Sequence, residues 1–221
     1  MMRLRNLTLL VIPVLFQYCA PVFSEMQSAK LVEKGGVEAT GLYSNVALSD
    51  DGETNHTQNQ VGLRVSYGLS DNLNLRGGYE NVFEDGEVVA HVFGIGPKIP
   101  IIRDRIAFYV PLGMAFGNNI STSDTWQVQP TALFTVPIME NIEFNPSAKY
   151  LWQFADDQDN LVAFNFGAGL STDLRKWVAR PEIGLLYNPG ESGHFTHYSI
   201  GFTFFPFFED PCCPQKLRRN R

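Results

Sequence analysis

From residue 36 to residue 208 the chain alternates bulky apolar residues with small or polar ones at a period of two. Residues 60–80, QVGLRVSYGLSDNLNLRGGYE, show it most clearly. Val61, Leu63, Val65, Tyr67 and Leu69 share one face; Gln60, Gly62, Arg64, Ser66 and Gly68 share the other. Ser70, Asp71 and Asn72 then turn the chain, and Leu73, Leu75 and Tyr79 resume the pattern against Asn74, Arg76, Gly78 and Glu80. Period-two alternation across a short polar turn predicts a β-hairpin. The same reading gives strands over 36–48, 58–69, 73–83, 87–101, 105–117, 125–138, 141–154, 160–171, 177–188 and 194–208.

The connections alternate as well. Short joins at Ser70–Asn72, Ile102–Asp104, Glu140 and Thr172–Lys176 alternate with longer polar ones: SDDGETNHTQ, FEDGE, NNISTSD, ADDQDN and PGESGH. Tight turns on one side and longer loops on the other describe an up-and-down barrel crossing a membrane. The longer loops carry Asp50, Asp51, Glu53, Glu84, Asp85, Glu87, Asp124, Asp156, Asp157, Asp159 and Glu191, with no Lys or Arg. Arg103, Arg105, Arg175 and Lys176 lie on the turn side. The predicted fold is all-β, an antiparallel up-and-down transmembrane β-barrel of about ten strands. Pro97, Pro100, Pro111, Pro130, Pro137, Pro146, Pro181 and Pro206 fall inside segments, where each removes a ladder donor. They predict bulges near the turn-side rim, or broken segments and a count of eight or twelve.

The two faces decide the orientation. One carries Ile106, Phe108, Leu112, Phe144, Tyr150, Trp152, Phe164, Phe166, Tyr198, Ile200, Phe202 and Phe204; the other carries Ala107, Gly113, Asn145, Ser147, Asn165, Gly167, Gly169, Ser199, Gly201 and Thr203. Glycine weakens a solvated strand face unless space is short, as it is inside a narrow barrel. The bulky face therefore points at lipid and the small face at the lumen. This register puts Arg64, Arg76, Lys98, Lys149 and Arg180 inside with Glu38, Glu80, Glu143 and Glu182. Buried charges must pair, so a salt-bridged lumen is expected. About eight strands give a filled interior and about sixteen a channel, and ten is nearer the first; a narrow conduction path is the alternative.

The amino terminus changes the picture of where the chain goes. Arg3 and Arg5 precede LTLLVIPVLF, an apolar run too short to span a bilayer as a helix. That is the form of a secretory signal, with Val22 and Ser24 fitting small-residue cleavage before Glu25. The expected organisation is a signal over 1–24, a short periplasmic segment over 25–35, the barrel over 36–208 and a polar, basic tail over 209–221. Cys212 and Cys213 are adjacent and geometrically poor partners for one another, so no disulfide framework is expected. With 17 Lys and Arg against 23 Asp and Glu, the charge offers no nucleic-acid footprint.

The signal, the tight turns SDN and RDR, and the aromatic last strand YSIGFTFFPFF resemble the bacterial outer-membrane β-barrel superfamily of small porin-like proteins. That resemblance implies an outer-membrane location and contact with outer-membrane lipid and lipopolysaccharide. It also implies handling by periplasmic chaperones and the barrel-assembly machinery. Phe208 matches the terminal aromatic in kind, although Glu209–Arg221 follows it. The expected role is structural or interaction-based, with a narrow pore as a variant.

Candidate chemistry is sparse. His197 and Ser199 share a face two residues apart, so the imidazole could activate the hydroxyl. The pair resembles the His-x-Ser of outer-membrane lipid A deacylases, which makes a lipid-modifying hydrolase the alternative function; Glu191 and Glu38 are the available acids. Asp50, Asp51, His56, Asp156, Asp157 and His194 could gather at an outer mouth, as in omptin-type proteases. Asp156, Asp157 and Asp159 offer oxygen ligands to a hard cation but lack the glycine and distal glutamate of an EF-hand loop. No cofactor motif appears. A secreted soluble barrel or sandwich is the third class.

Overall fold

The computed structural model describes residues 22–50, 53–118, 120–155, 158–190 and 192–206. The calls for Met1–Pro21, Asp51, Asp156, Asp157, Glu191, Phe208, Cys212, Cys213 and the tail lie outside the described residues.

Thirteen strand segments form one antiparallel sheet, and they assemble into ten staves. These are β1 (Val37–Asp50), β2 (Glu53–Ser70), β3 (Leu73–Glu84) and β4 (Glu87–Ile102), followed by β5 in two pieces (Ile106–Tyr109, Leu112–Phe116). Next come β6 in three (Gln127–Val128, Thr131–Phe134, Val136–Met139), β7 (Ile142–Gln153), β8 (Leu161–Leu170), β9 (Trp177–Tyr187) and β10 (His194–Phe204). The last stave pairs with the first from Ala39↔Phe204 to Ser49↔His194, so the sheet closes. A closed sheet leaves no edge whose backbone groups would have to face hydrocarbon.

The expectation of ten strands holds, and prolines explain two of the three breaks; the third falls at Thr135, whose N donates to Arg105 O at 2.8 Å. Pro111 interrupts β5 and Pro130 interrupts β6. The ladder resumes because Gln129 N donates to Pro111 O at 3.0 Å and Tyr150 N donates to Pro130 O at 3.0 Å. The register also shifts beside Pro100. Pro97, Pro146 and Pro181 stay within continuous ladders. Neither break reverses which residues point inward: Tyr109 and Gly113 are buried on either side of Pro111.

The loop side is tighter than the sequence implies. FEDGE reduces to a two-residue turn at Asp85 and Gly86, whose φ values of 50° and 86° are those of a type I′ hairpin turn. SDDGETNHTQ is mostly strand, with Ser49 paired to Thr54 and Asp50 to Glu53. Polar alternation there has no apolar face to read, so the pattern looks like a loop.

The barrel is inside out. Leu63 is 53% exposed, Trp152 54% and Phe202 48%, while Arg76 and Lys98 are each 1% exposed. The bulky faces of all ten staves thus form a continuous apolar belt around a charged interior, and such a belt is satisfied only by acyl chains. Toward the loop side it ends in a rim of amphipathic rings. Tyr43 donates to Asn59 Oδ1 at 2.7 Å, His91 stacks between Tyr79 and Phe116, and His194 stacks on Tyr187. Rings with one polar end suit the headgroup level.

One segment departs from expectation. The sequence places 25–35 in the periplasm; the structure threads it through the lumen. Val22 through Ala29 are buried, and Phe23 packs with Val46, Leu151, Ala163 and Leu186 near the loop side. Ala29 packs lower down with Ala107, Tyr109 and Leu133. The segment leaves at the turn side, where Gly35 N donates to Gly68 O at 2.8 Å and Gly68 N to Gly36 O at 3.1 Å. A Cβ on Gly68 would lie 2.1 Å from Glu33 O, so only glycine lets the chain pass. The barrel needs a filling because its own lumen face is small, and this segment supplies it.

Candidate functional site

The lumen holds every charge that the register places inside. Glu38, Arg64, Arg76, Glu80, Lys98, Glu143, Lys149, Arg180 and Glu182 are all buried. Arg64 pairs with Glu80, Arg76 with Glu38 at 2.8 Å, and Arg180 with Glu143 at 3.3 Å. The small lumen residues make these pairs possible: a Cβ on Gly62 would sit 2.3 Å from Glu80 Cγ.

The remaining charges reach the threaded segment, which the sequence placed in the periplasm. Lys149 pairs with Glu25 at 2.7 Å, and Glu143 also binds Lys30 at 2.6 Å. Arg64 Nη1 donates to Glu25 O at 2.7 Å and Nη2 to Ser24 Oγ at 2.9 Å. Lys98 Nζ donates to Ser28 O at 2.7 Å and Lys30 O at 2.8 Å. Glu182 accepts from Glu25 N at 2.7 Å and Met26 N at 2.8 Å. Thr135 Oγ1 accepts from Ala29 N at 2.7 Å. The lumen charges therefore act as stitches: each buried ion gains a counter-ion, main-chain dipoles or both, as a desolvated charge requires. Residues 24–29, SEMQSA, show neither alternation nor bulk, so no periodic signal marks them as interior.

His197 and Ser199 meet. His197 Nδ1 lies 2.6 Å from Ser199 Oγ, and Nε2 lies 3.0 Å from Asn165 Oδ1. The Asn165 amide nitrogen donates to Phe23 O and Ser147 Oγ, so its oxygen accepts from His197 Nε2–H. Nδ1 is then the basic nitrogen facing the hydroxyl. A Cβ on Gly184 would lie 2.0 Å from Asn165 Oδ1 and 2.2 Å from His197 Nε2, so glycine makes room for the pair. Both side chains point into the lumen, and the Phe23 ring packs edge-on to the imidazole at 4.7 Å. Ser199 Oγ also lies 2.7 Å from Ser44 Oγ. The carboxylate near the imidazole is Glu182, at 3.7 Å, and not Glu38.

A cavity of about 50 Å³ lies between the Arg64–Glu80 pair and the broken wall, lined by Arg64, Arg76, Glu80, Tyr109, Pro111 and Gln129 among others. Arg76 Nη2 and Glu80 Oε2 are buried without a protein partner. A polar cavity of this size suits a few ordered waters.

Among the described residues, the remaining candidates are engaged separately. His56 bonds Asn45 and Asn59 on the outer face of β2, and His194 stacks on Tyr187. Asp50 accepts from Ser192, and Asp159 from Asn188 at 2.8 Å. Among the described residues no cluster of three metal-ligating side chains forms.

No protein-family model matches the sequence, and no curated protein does. Solved structures similar to it include the translocator domain of the autotransporter NalP from Neisseria meningitidis, at 6% identity over 78% of this chain and 89% of that one, TM-score 0.46. An outer membrane channel from Pseudomonas putida F1 is similar at 10% identity over 80% and 97%, TM-score 0.46. The NanC porin is similar at 10% identity over 74% and 98%, TM-score 0.45.

Proposed function

We propose that the protein is an integral outer-membrane barrel closed by its own amino-terminal segment, serving a structural or interaction role rather than that of an open pore. The filled lumen supports this most directly: five ion-pairing cations and the residues from Glu25 to Lys30 occupy the space a solute would need. An exported chain with a cleaved signal fits the basic, short apolar start. What the barrel offers outside is a rim with exposed Asp50, Glu53, Glu84, Asp85, Glu87, Asp124 and Asp159. Such a rim can share divalent cations with the phosphates of lipopolysaccharide. Planar-bilayer recording tests the closed lumen. Purified protein is expected to give flat traces, and steady unit conductance in the wild type would refute it.

The hydrolase reading keeps one favourable observation, the 2.6 Å approach of His197 Nδ1 to Ser199 Oγ. Against it, an acyl chain in the outer leaflet meets the opposite face of β10. Replacing Ser199 with Ala and comparing lipid A acylation separates the two; an unchanged acyl pattern is expected.

A further inference from the structure

Five carboxylates stand in the lumen, and four of them have a Lys or Arg partner: Glu25, Glu38, Glu80 and Glu143. Glu182 does not. No Lys or Arg among the described residues pairs with it within 4.0 Å; the His197 ring lies at 3.7 Å, and the Arg64 guanidinium acts on it only from farther away. Its oxygens are held by two main-chain nitrogens, those of Glu25 and Met26, at 2.7 and 2.8 Å. A buried carboxylate without a counter-charge is costly. The nitrogen it faces belongs to the residue at which small residues at Val22 and Ser24 place signal cleavage.

The geometry points to a processing site: we propose that the Ser24–Glu25 bond is cut, and that the new α-ammonium of Glu25 is the missing counter-ion of Glu182. Hydrolysis adds the hydroxyl of water to the Ser24 carbonyl carbon and its hydrogen to the Glu25 nitrogen. The freed amine then takes up a proton, since α-amines are charged below a pKa of about 8. The former 2.7 Å amide contact becomes a charged one at the same nitrogen. The order of events follows from burial. Ser24 and Glu25 are 1% and 2% exposed, so a peptidase reaches the bond only before the barrel closes. The direction of threading agrees. The segment runs from the loop side at Phe23 to the turn side at Gly35, so an uncut leader would have to emerge at the outer mouth.

Cutting here also clears the upper lumen. Val22, Phe23 and Ser24 leave, and Asn165 Nδ2 and Arg64 Nη2 lose the Phe23 and Ser24 oxygens they bind. The space they vacate adjoins the 50 Å³ cavity, which Val22 and Ser24 line. Glu25 and the residues after it remain stitched below.

Amino-terminal sequencing of the protein purified from membranes is the first test. Glu-Met-Gln-Ser is expected; a chain beginning at Pro21, at Val22 or at Met1 overturns the assignment. The second test uses a chain beginning at Glu25, refolded into detergent with its α-amine either free or acetylated. Unfolding is timed by heat-modifiable gel mobility. Acetylation, which leaves an amide N–H but no charge, is expected to speed unfolding by about a hundredfold or more, the scale of an uncompensated buried charge. Glu182→Gln is expected to speed it comparably in the free-amine chain and much less in the acetylated one. Equal unfolding of free and acetylated wild-type chains overturns the ion pair, even if the Gln variant does not fold.

Discussion

The barrel has two unlike walls. Staves β1–β4 and β7–β10 are unbroken and carry every charged lumen residue of the sheet, from Glu38 through Arg64, Arg76, Glu80 and Lys98 to Glu143, Lys149, Arg180 and Glu182. Staves β5 and β6 are broken at Pro111 and Pro130 and turn neutral residues inward: Ala107, Tyr109, Gln127, Gln129, Thr131, Leu133 and Thr135. The threaded segment is tied to the first wall by ions and rests on the second by packing, Ala29 against Ala107, Tyr109 and Leu133, with one hydrogen bond from Ala29 N to Thr135 Oγ1. The comparison assigns two jobs to one lumen. The continuous wall fixes the segment's position, and the interrupted wall supplies an apolar seat that need not hold charge.

The largest effect is expected from the continuous wall. Arg64→Ala strands Glu80 and frees the Glu25 carbonyl, and removing one partner of a buried pair costs about 3–5 kcal/mol. Thermal unfolding of the folded gel band measures it; a loss comparable to that of an exposed residue would show that the pair is hydrated. On the interrupted wall, Leu133→Ala removes a fully buried side chain and is expected to cost about 2–5 kcal/mol. Here the loss should not depend on ionic strength, whereas an ionic seat would respond to salt. Gly184→Ala puts a methyl group against Asn165 and His197, and such overpacking costs about 1–3 kcal/mol. The same substitution at Gly41, whose Cβ would meet nothing within 4 Å, should be nearly silent.

The smallest effect lies outside the membrane, in the turn before β9. Asp173 accepts from Arg175 N at 3.1 Å, and that backbone hydrogen bond, with Arg175 and Lys176 nearby, holds its carboxyl below its ordinary value of 3.8. A lowered carboxyl contributes fully above the unfolded value and loses its contribution as pH falls through the folded one. Asp173→Asn should therefore leave stability at pH 7 slightly reduced and flatten its decline below pH about 4, read from unfolding midpoints across that range.

Much of this was legible in the residues. Alternation at Val61–Leu69 and Ile106–Phe116 fixes which side chains point outward, because a period of two leaves a strand only two faces. The nine lumen charges follow from the same register. Their partners do not follow, because pairing depends on which staves neighbour one another and on the segment between them. Glu25 and Lys30 were invisible for that reason: a chain threaded through a lumen has no sheet face and carries no period. The breaks at Pro111 and Pro130 were signalled as prolines, but Pro146 and Pro181 carry the same signal in unbroken ladders. The contact of His197 with Ser199 could be read from spacing, whereas Asn165 and Gly184 come from other staves.

Spin labels placed singly at Leu63, Tyr67, Phe108 and Leu112, and at lumen-facing Ser66 and Gly113, would test the inside-out barrel most directly in reconstituted bilayers. At the first four, collision with lipid-soluble oxygen should dominate and a water-soluble nickel chelate should be excluded. At Ser66 and Gly113 neither relaxant should reach the label freely. Chelate access at the bulky positions, or shielding there from oxygen, would mean that those side chains meet water or their own protein and that the barrel does not span a membrane.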